Sequence, residues 1–221
     1  ASALGIDSRE YEAAEASLAE ADAAAVTAQG LDPNSVALAI EASDRIAQAY
    51  KVKIGPGIIL AIFQGETGQG KNVGSCSAKT GAVGHAKLSA TEETDALNWL
   101  LNHWKSLGLR GKDAMAAQYI REDYSDATAH CGATAMGLVG FIASTGKRVC
   151  EQYLIPSKDE TLVTCNWWNK KVAFNAASHY LYQIGYRQDS DLATQTAKLW
   201  GWKQQTDYDR TLAESAKKIN E

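Results

Sequence analysis

Apolar residues recur along this chain three and four positions apart, and glycines and prolines punctuate the runs, which predicts a succession of amphipathic helices. The first, Ser8 to Gln29, is rich in alanine and glutamate, with Asp7 or Ser8 as N-cap candidate and Gly30 as a stop. Its only large apolar residues are Tyr11 and Leu18, so its face packs weakly. It reads as an accessory helix on the main domain or the end of a coiled-coil stalk. Asp32-Pro33 predicts an N-cap followed by proline at the first helical position, opening a helix that carries Val36, Ile40 and Ile46 toward a core and ends near Tyr50. After Gly55-Pro56-Gly57 comes the strongly apolar IILAIFQGET, a helix that Gly65, Gly68, Gly70 and Gly74 are expected to break up. From Ser89 to Leu107, the residues Leu97, Leu100, Leu101, Trp104 and Leu107 share a helical stripe that Gly108 stops. A shorter helix is predicted from Asp113 to Ile120. The glycine-rich stretch Gly132 to Gly140 leads into FIASTGKRVCEQYL, and KKVAFNAASHYLYQIG follows a polar loop and ends at Gly185. Leu192 to Trp200 and Tyr208 to Ile219 close the series. The predicted fold is all-α: about eight helices in a main domain over residues 32–221, preceded by a helical N-terminal extension over residues 1–31.

Composition sharpens this. Apolar residues make up 45% and charged residues 22%, which excludes wholesale disorder. The net charge of −4 argues against nucleic acid as the main partner, since phosphate binding calls for a basic surplus. Cys76, Cys131, Cys150 and Cys165 form no C-x-x-C pair, which lowers the case for a zinc knuckle or redox motif. An even count at wide spacing fits two disulfides in an oxidising compartment, and four buried free thiols are the alternative. Cys150 and Cys165 enclose a short polar loop and are easily paired, leaving Cys76 with Cys131. His85, His103, His130 and His179 show no ligand spacing, so no metal is expected. No apolar run reaches membrane-spanning length. The chain opens on Ala1-Ser2-Ala3 with no basic-then-apolar leader, so export would require a signal peptide already removed.

One residue carries a chemical suggestion. Ile59, Phe63 and Glu66 fall at i, i+4 and i+7, which sets a carboxylate at the end of a greasy helix just where glycines open the backbone. Apolar surroundings disfavour the charged form of a carboxyl, which is how glycosidases keep a proton for the leaving oxygen. The plainer alternative is a partly buried glutamate that caps a helix or pairs with a lysine such as Lys71.

The context favours the first reading. ILAIFQGETGQGKNVGSC resembles the catalytic helix of lysozyme-like lytic transglycosylases, in which a glutamate followed by serine or threonine ends an apolar helix; its G-x-G-K-N-V-G continuation is closest to the membrane-bound lytic transglycosylase B type. ATAMGLVGFIAST, Ala133 to Thr145, resembles that branch's G-A-M-G-x-x-Q-F-x-P-S-T groove loop, and NWWNKKVAFNAASHYLYQIGY its N-P-W-N helix. The resemblance implies a lysozyme-like helical domain that cleaves the bond between N-acetylmuramic acid and N-acetylglucosamine in peptidoglycan. It implies Glu66 as catalytic acid and then base, with 1,6-anhydro-muramoyl ends, no second carboxylate and no cofactor. Glu92, Glu93 and Asp95 sit at a helix start, where acidic residues suit the dipole anyway.

The implied substrate-binding set is Thr67, Met136, Gly137, Gly140, Phe141, Trp200 and Trp202. Glycan strands are the expected partner, the cell envelope or exterior the expected location, and the N-terminal helix a candidate contact for a further envelope component. The chain departs from the pattern at Gly140, where the family carries glutamine, at Thr134, and at Trp200 and Trp202, where smaller hydrogen-bonding groups are expected. Those departures keep in view a glycan-binding or structural envelope protein on a decayed enzyme fold; among enzymes, the other expectation is a muramidase-type hydrolase, which needs a second, water-activating group.

Overall fold

The computed structural model describes residues 30–67, 90–108, 137–203 and 206–220. The chain divides into two compact units, residues 1–37 and 38–221. The helices expected over Ser8–Gln29 and Asp113–Ile120 lie outside the described residues.

In the first unit, Gly30 turns the chain at φ +76°. Asp32 then caps helix α1 (Pro33–Tyr50): the Ser35 backbone N–H donates to Asp32 Oδ1 at 2.9 Å, and the Ser35 hydroxyl donates to Oδ2. This is the predicted N-cap with proline at the first helical position.

In the second unit every described element is helical, and no described residue belongs to a strand. The buried stripe of α1 is Ala39, Ala42, Ser43 and Ile46, whereas Ile40, expected in the core, is 44% exposed. Small residues win because they let backbones approach: the Ser178 hydroxyl donates to the Ala42 carbonyl at 3.1 Å, and the Ser43 hydroxyl donates to the Ile54 carbonyl.

Helix α2 (Pro56–Thr67) is buried on all sides from Ile58 to Phe63, as an all-round apolar helix must be. It runs through Gly65 rather than breaking there, since one glycine inside a packed helix costs only about 1 kcal/mol. Helix α3 (Ala90–Ser106) buries Leu97, Leu100, Leu101 and Trp104. Leu107, past its end, is 45% exposed, and Gly108 takes φ +70°.

Helix α4 (Ala143–Val149) continues into a π-helical turn, Cys150–Leu154. A disulfide joins Cys150 to Cys165, with Cα atoms 5.8 Å apart. The loop it closes contains a 3-10 turn, Leu162–Thr164, and is tied into three helices. Asp159 Oδ1 accepts the N–H groups of Thr161 and Leu162, while Oδ2 pairs with Arg45 of α1 at 2.9 Å and with Lys171 at 3.0 Å. From α3, His103 Nε2–H donates to the Val163 carbonyl at 2.8 Å and Trp104 Nε1–H to the Cys165 carbonyl at 3.3 Å.

Helix α5 (Lys170–Gln183), capped by Asn169 through the Val172 N–H, is buried without interruption from Val172 to His179. Helices α6 (Leu192–Lys203) and α7 (Thr206–Asn220) follow, and α7 packs against both α2 and α6 through a face that includes Ala213 and Ala216. No described helix is long and apolar enough to cross a membrane.

Candidate functional site

Three chain segments that carried the sequence argument meet in space. The first is the end of α2. Ile62 and Phe63 are fully buried, Gln64 and Gly65 are exposed, and Glu66 is half-buried. The carboxylate therefore stands at the rim of the core rather than inside it.

The second segment is the turn 137–140. Gly140 takes φ +67°, and a Cβ placed on it would come 2.8 Å from Glu66 Oε2 and 3.3 Å from the carboxyl carbon. Glu66 thus lies against the bare Cα of Gly140. A glutamine at this position, as the resemblance expects, would compete for the space the glutamate occupies and would strain the backbone. The missing side chain is the seat of the carboxylate.

The third segment is Trp167. Its backbone carbonyl accepts the Leu138 N–H at 3.0 Å, closing the turn from below. A Cβ on Gly137, which takes φ +75°, would come 2.6 Å from Trp167 Cβ. A Cβ on Gly146 would overlap the Trp167 ring outright. The indole is fully buried, with Phe141 edge-on at 6.1 Å and Trp104 edge-on at 6.0 Å. Two glycines and two aromatic edges thus fix this tryptophan, and it fixes the turn that seats Glu66.

Phe141 is 3% exposed and lies between the Trp167 ring and the Tyr180 ring, the latter edge-on at 5.7 Å. Its described contacts are those of a core residue. Arg148 lies 5.7 Å over the other partner, Tyr180, and burial raises that phenol's pKa while the charge and hydrogen bond of Arg148 partly oppose the rise. Phe63 meets Phe174 edge-on at 5.2 Å, and Lys170, at the start of α5, holds its ammonium 5.7 Å over the Phe63 ring. This sets a cation on the stripe of α2 that leads to Glu66. Trp168 is half-buried, beside Trp104 at 6.2 Å.

Of the other expected site residues, Met136, Cys76 and Cys131 lie outside the described residues. Thr67, Trp200 and Trp202 belong to the helices α2 and α6, with their side chains outside what is described. Among the described residues no cluster of histidine, cysteine, aspartate or glutamate could hold a metal ion.

One feature escaped the sequence. Between α3 and α4 opens a cleft of about 650 Å³, lined by Glu92, Asp95 and Trp99 on one wall and by Ser144, Thr145 and Lys147 on the other. Glu92, Asp95 and Trp99 share a helical face at i, i+3 and i+7, a signal hidden behind the stronger leucine stripe on the opposite side. No family model matches the chain, and no curated protein and no solved structure matches it.

Proposed function

We propose that the protein is a peptidoglycan lytic transglycosylase built on a lysozyme-like helical domain, with Glu66 as its single catalytic acid/base. The observation that carries this reading is the seat of Glu66. The carboxylate stands near the end of a helix buried from Ile58 to Phe63, is itself half-buried, and rests on Gly140 of the turn that the resemblance makes the sugar-binding loop.

In this reading the protonated Glu66 donates its proton to the glycosidic oxygen as the bond from muramoyl C1 breaks, and GlcNAc leaves with a free 4-hydroxyl. The resulting carboxylate takes the proton from the muramoyl 6-hydroxyl, whose oxygen bonds to C1 and closes the 1,6-anhydro ring. One group serves both half-reactions, so no second carboxylate is needed. The Cys150–Cys165 disulfide suits a protein working in an oxidising cell envelope.

The test is solubilisation of purified sacculi by the wild-type protein and by Glu66→Gln. The reading expects soluble fragments from the first and a loss of at least about a hundredfold with the second, the scale of removing a general acid. Equal rates for the two proteins would remove Glu66 from the mechanism.

A further inference from the structure

We infer that the Cys150–Cys165 disulfide is a positioning element for Glu66, so that glycan cleavage switches on only once the bridge has formed; this rests on the reading of Glu66 as the catalytic acid/base. The bridge joins the two sides of the Trp167 wedge. Cys150 follows directly on α4, whose Gly146 lies bare against the Trp167 ring. Cys165 stands two residues before Trp167, whose carbonyl accepts the Leu138 N–H at 3.0 Å in the turn that seats Glu66. Ring packing and one covalent link therefore hold α4 and Trp167 together, and the turn 137–140 is built on their junction.

The backbone at Cys165 gives the covalent link its importance. Cys165 takes φ +52° and ψ 27°, the left-handed region that disfavours any residue with a Cβ. Its N–H donates to the Leu162 carbonyl at 3.0 Å, and its carbonyl accepts the Trp104 indole N–H at 3.3 Å, a long bond. Neither contact holds the Cys165 side chain; the disulfide does. Without it, relaxation of Cys165 turns the peptide that leads to Trp167 and withdraws the carbonyl from under the turn. Both cysteines are fully buried. Thiol–disulfide exchange needs a thiolate in contact with a sulfur, so in the folded chain the finished bridge is shielded from reductant. The device is thus a one-way activation rather than a reversible switch. In the activating step the two thiols give up two protons and two electrons to a disulfide oxidant, which leaves as a dithiol. Cleavage of the wall is thereby confined to an oxidising compartment.

The experiment compares the bridged chain with Cys150→Ser/Cys165→Ser and with Cys150→Ser/Cys165→Gly on soluble glycan strands, at a temperature where circular dichroism shows each to be folded. The serine pair should lose about tenfold to a hundredfold in kcat with KM little changed, the scale of displacing a catalytic group by about 1 Å. Glycine accepts the left-handed backbone without a bridge, so the second variant should recover part of that loss. Full kcat in the serine pair, or a glycine variant no better than it, overturns the inference. Where the serine pair fails to fold, full kcat in the glycine variant does the same. The seat is also read without catalysis: in urea denaturation, Gly140→Ala and Glu66→Ala should couple strongly in the bridged chain and weakly in the glycine variant. Undiminished coupling defeats the positioning role and leaves the enzyme if the bridged chain cleaves. Weakened coupling in a chain whose bridged form cleaves nothing upholds the positioning and defeats the enzyme.

Discussion

An alanine at Gly140 would put a Cβ 2.8 Å from Glu66 Oε2 at a backbone φ of +67°. Two costs follow, and they are separable. The left-handed backbone alone costs a residue with a Cβ about 1 kcal/mol. The contact is also about 0.7 Å short of the ~3.5 Å at which such atoms meet comfortably, so the carboxylate at the end of the flexible Glu66 side chain must swing off its seat, for a further cost of about 0.5–1 kcal/mol. Gly108 supplies the control: its φ is +70°, and nothing lies within 4 Å of a Cβ built on it. Gly108→Ala should lose about 1 kcal/mol and Gly140→Ala about 1.5–2 kcal/mol, the latter lowering Tm by about 3–8 °C in a chain of this length. Urea denaturation of both variants, each with and without Glu66→Ala, isolates the contact. Without the glutamate, Gly140→Ala should cost no more than Gly108→Ala. An unchanged cost for Gly140→Ala in the two backgrounds would refute the seat, and with it the geometric basis of the site.

His179 is 3% exposed, its ring stacks on Tyr153 at 4.2 Å, neither ring nitrogen meets a hydrogen-bond partner among the described residues, and burial holds its pKa down at about 4. Between pH ~6.5 and ~4 the unfolded chain takes up a proton that the folded one refuses, so stability falls by about 3 kcal/mol as pH drops through that window. Denaturation midpoints of His179→Phe should lack this slope, and a slope equal to the wild type's would assign it elsewhere. Burial pushes the Asp159 carboxyl up, but the Lys171 hydrogen bond, the Leu162 and Thr161 N–H groups and the Lys171 charge outweigh it and hold it at about 2. Its contribution is present above the ordinary carboxylate range and is lost as pH falls through about 2. Asp159→Asn should therefore lose about 1 kcal/mol at neutral pH, allowing for solvent screening, and a variant as stable as the parent at neutral pH would contradict this. Replacing Cys150 and Cys165 together with serine opens a link spanning 15 positions and should cost about 3 kcal/mol; a midpoint within error of the parent's would show that the bridge constrains nothing.

Much of the fold was legible because its helices announce themselves. The Asp32-Pro33 start, the leucine stripe of α3 and the Gly185 stop, at φ +80°, all fall within a residue or two of their sequence signals. The face of α1 was not legible, since hydrophobicity pointed to Ile40 while packing chose Ala39, Ala42 and Ser43 for their size. Glu66 was legible from helical spacing and its neighbours. The role of Gly140 was not. Sequence presents it as a missing glutamine, and only tertiary contact and a positive φ show that its lack of a side chain makes room for the glutamate. The same holds for Gly137 and Gly146, which look like flexible spacers and are seats for Trp167. Trp99 escaped because one half-buried tryptophan on a polar face carries no pattern until α4 closes the cleft opposite it.

The most direct test of the central claim is the mass spectrum of the fragments that the chain releases from purified peptidoglycan. A lytic transglycosylase working through Glu66 releases muropeptides with 1,6-anhydro-muramoyl ends, each one water lighter than the hydrolytic product, and Glu66→Gln releases none. Reducing muramoyl ends would make the protein a hydrolase, and no fragments from the wild-type chain would contradict catalysis altogether.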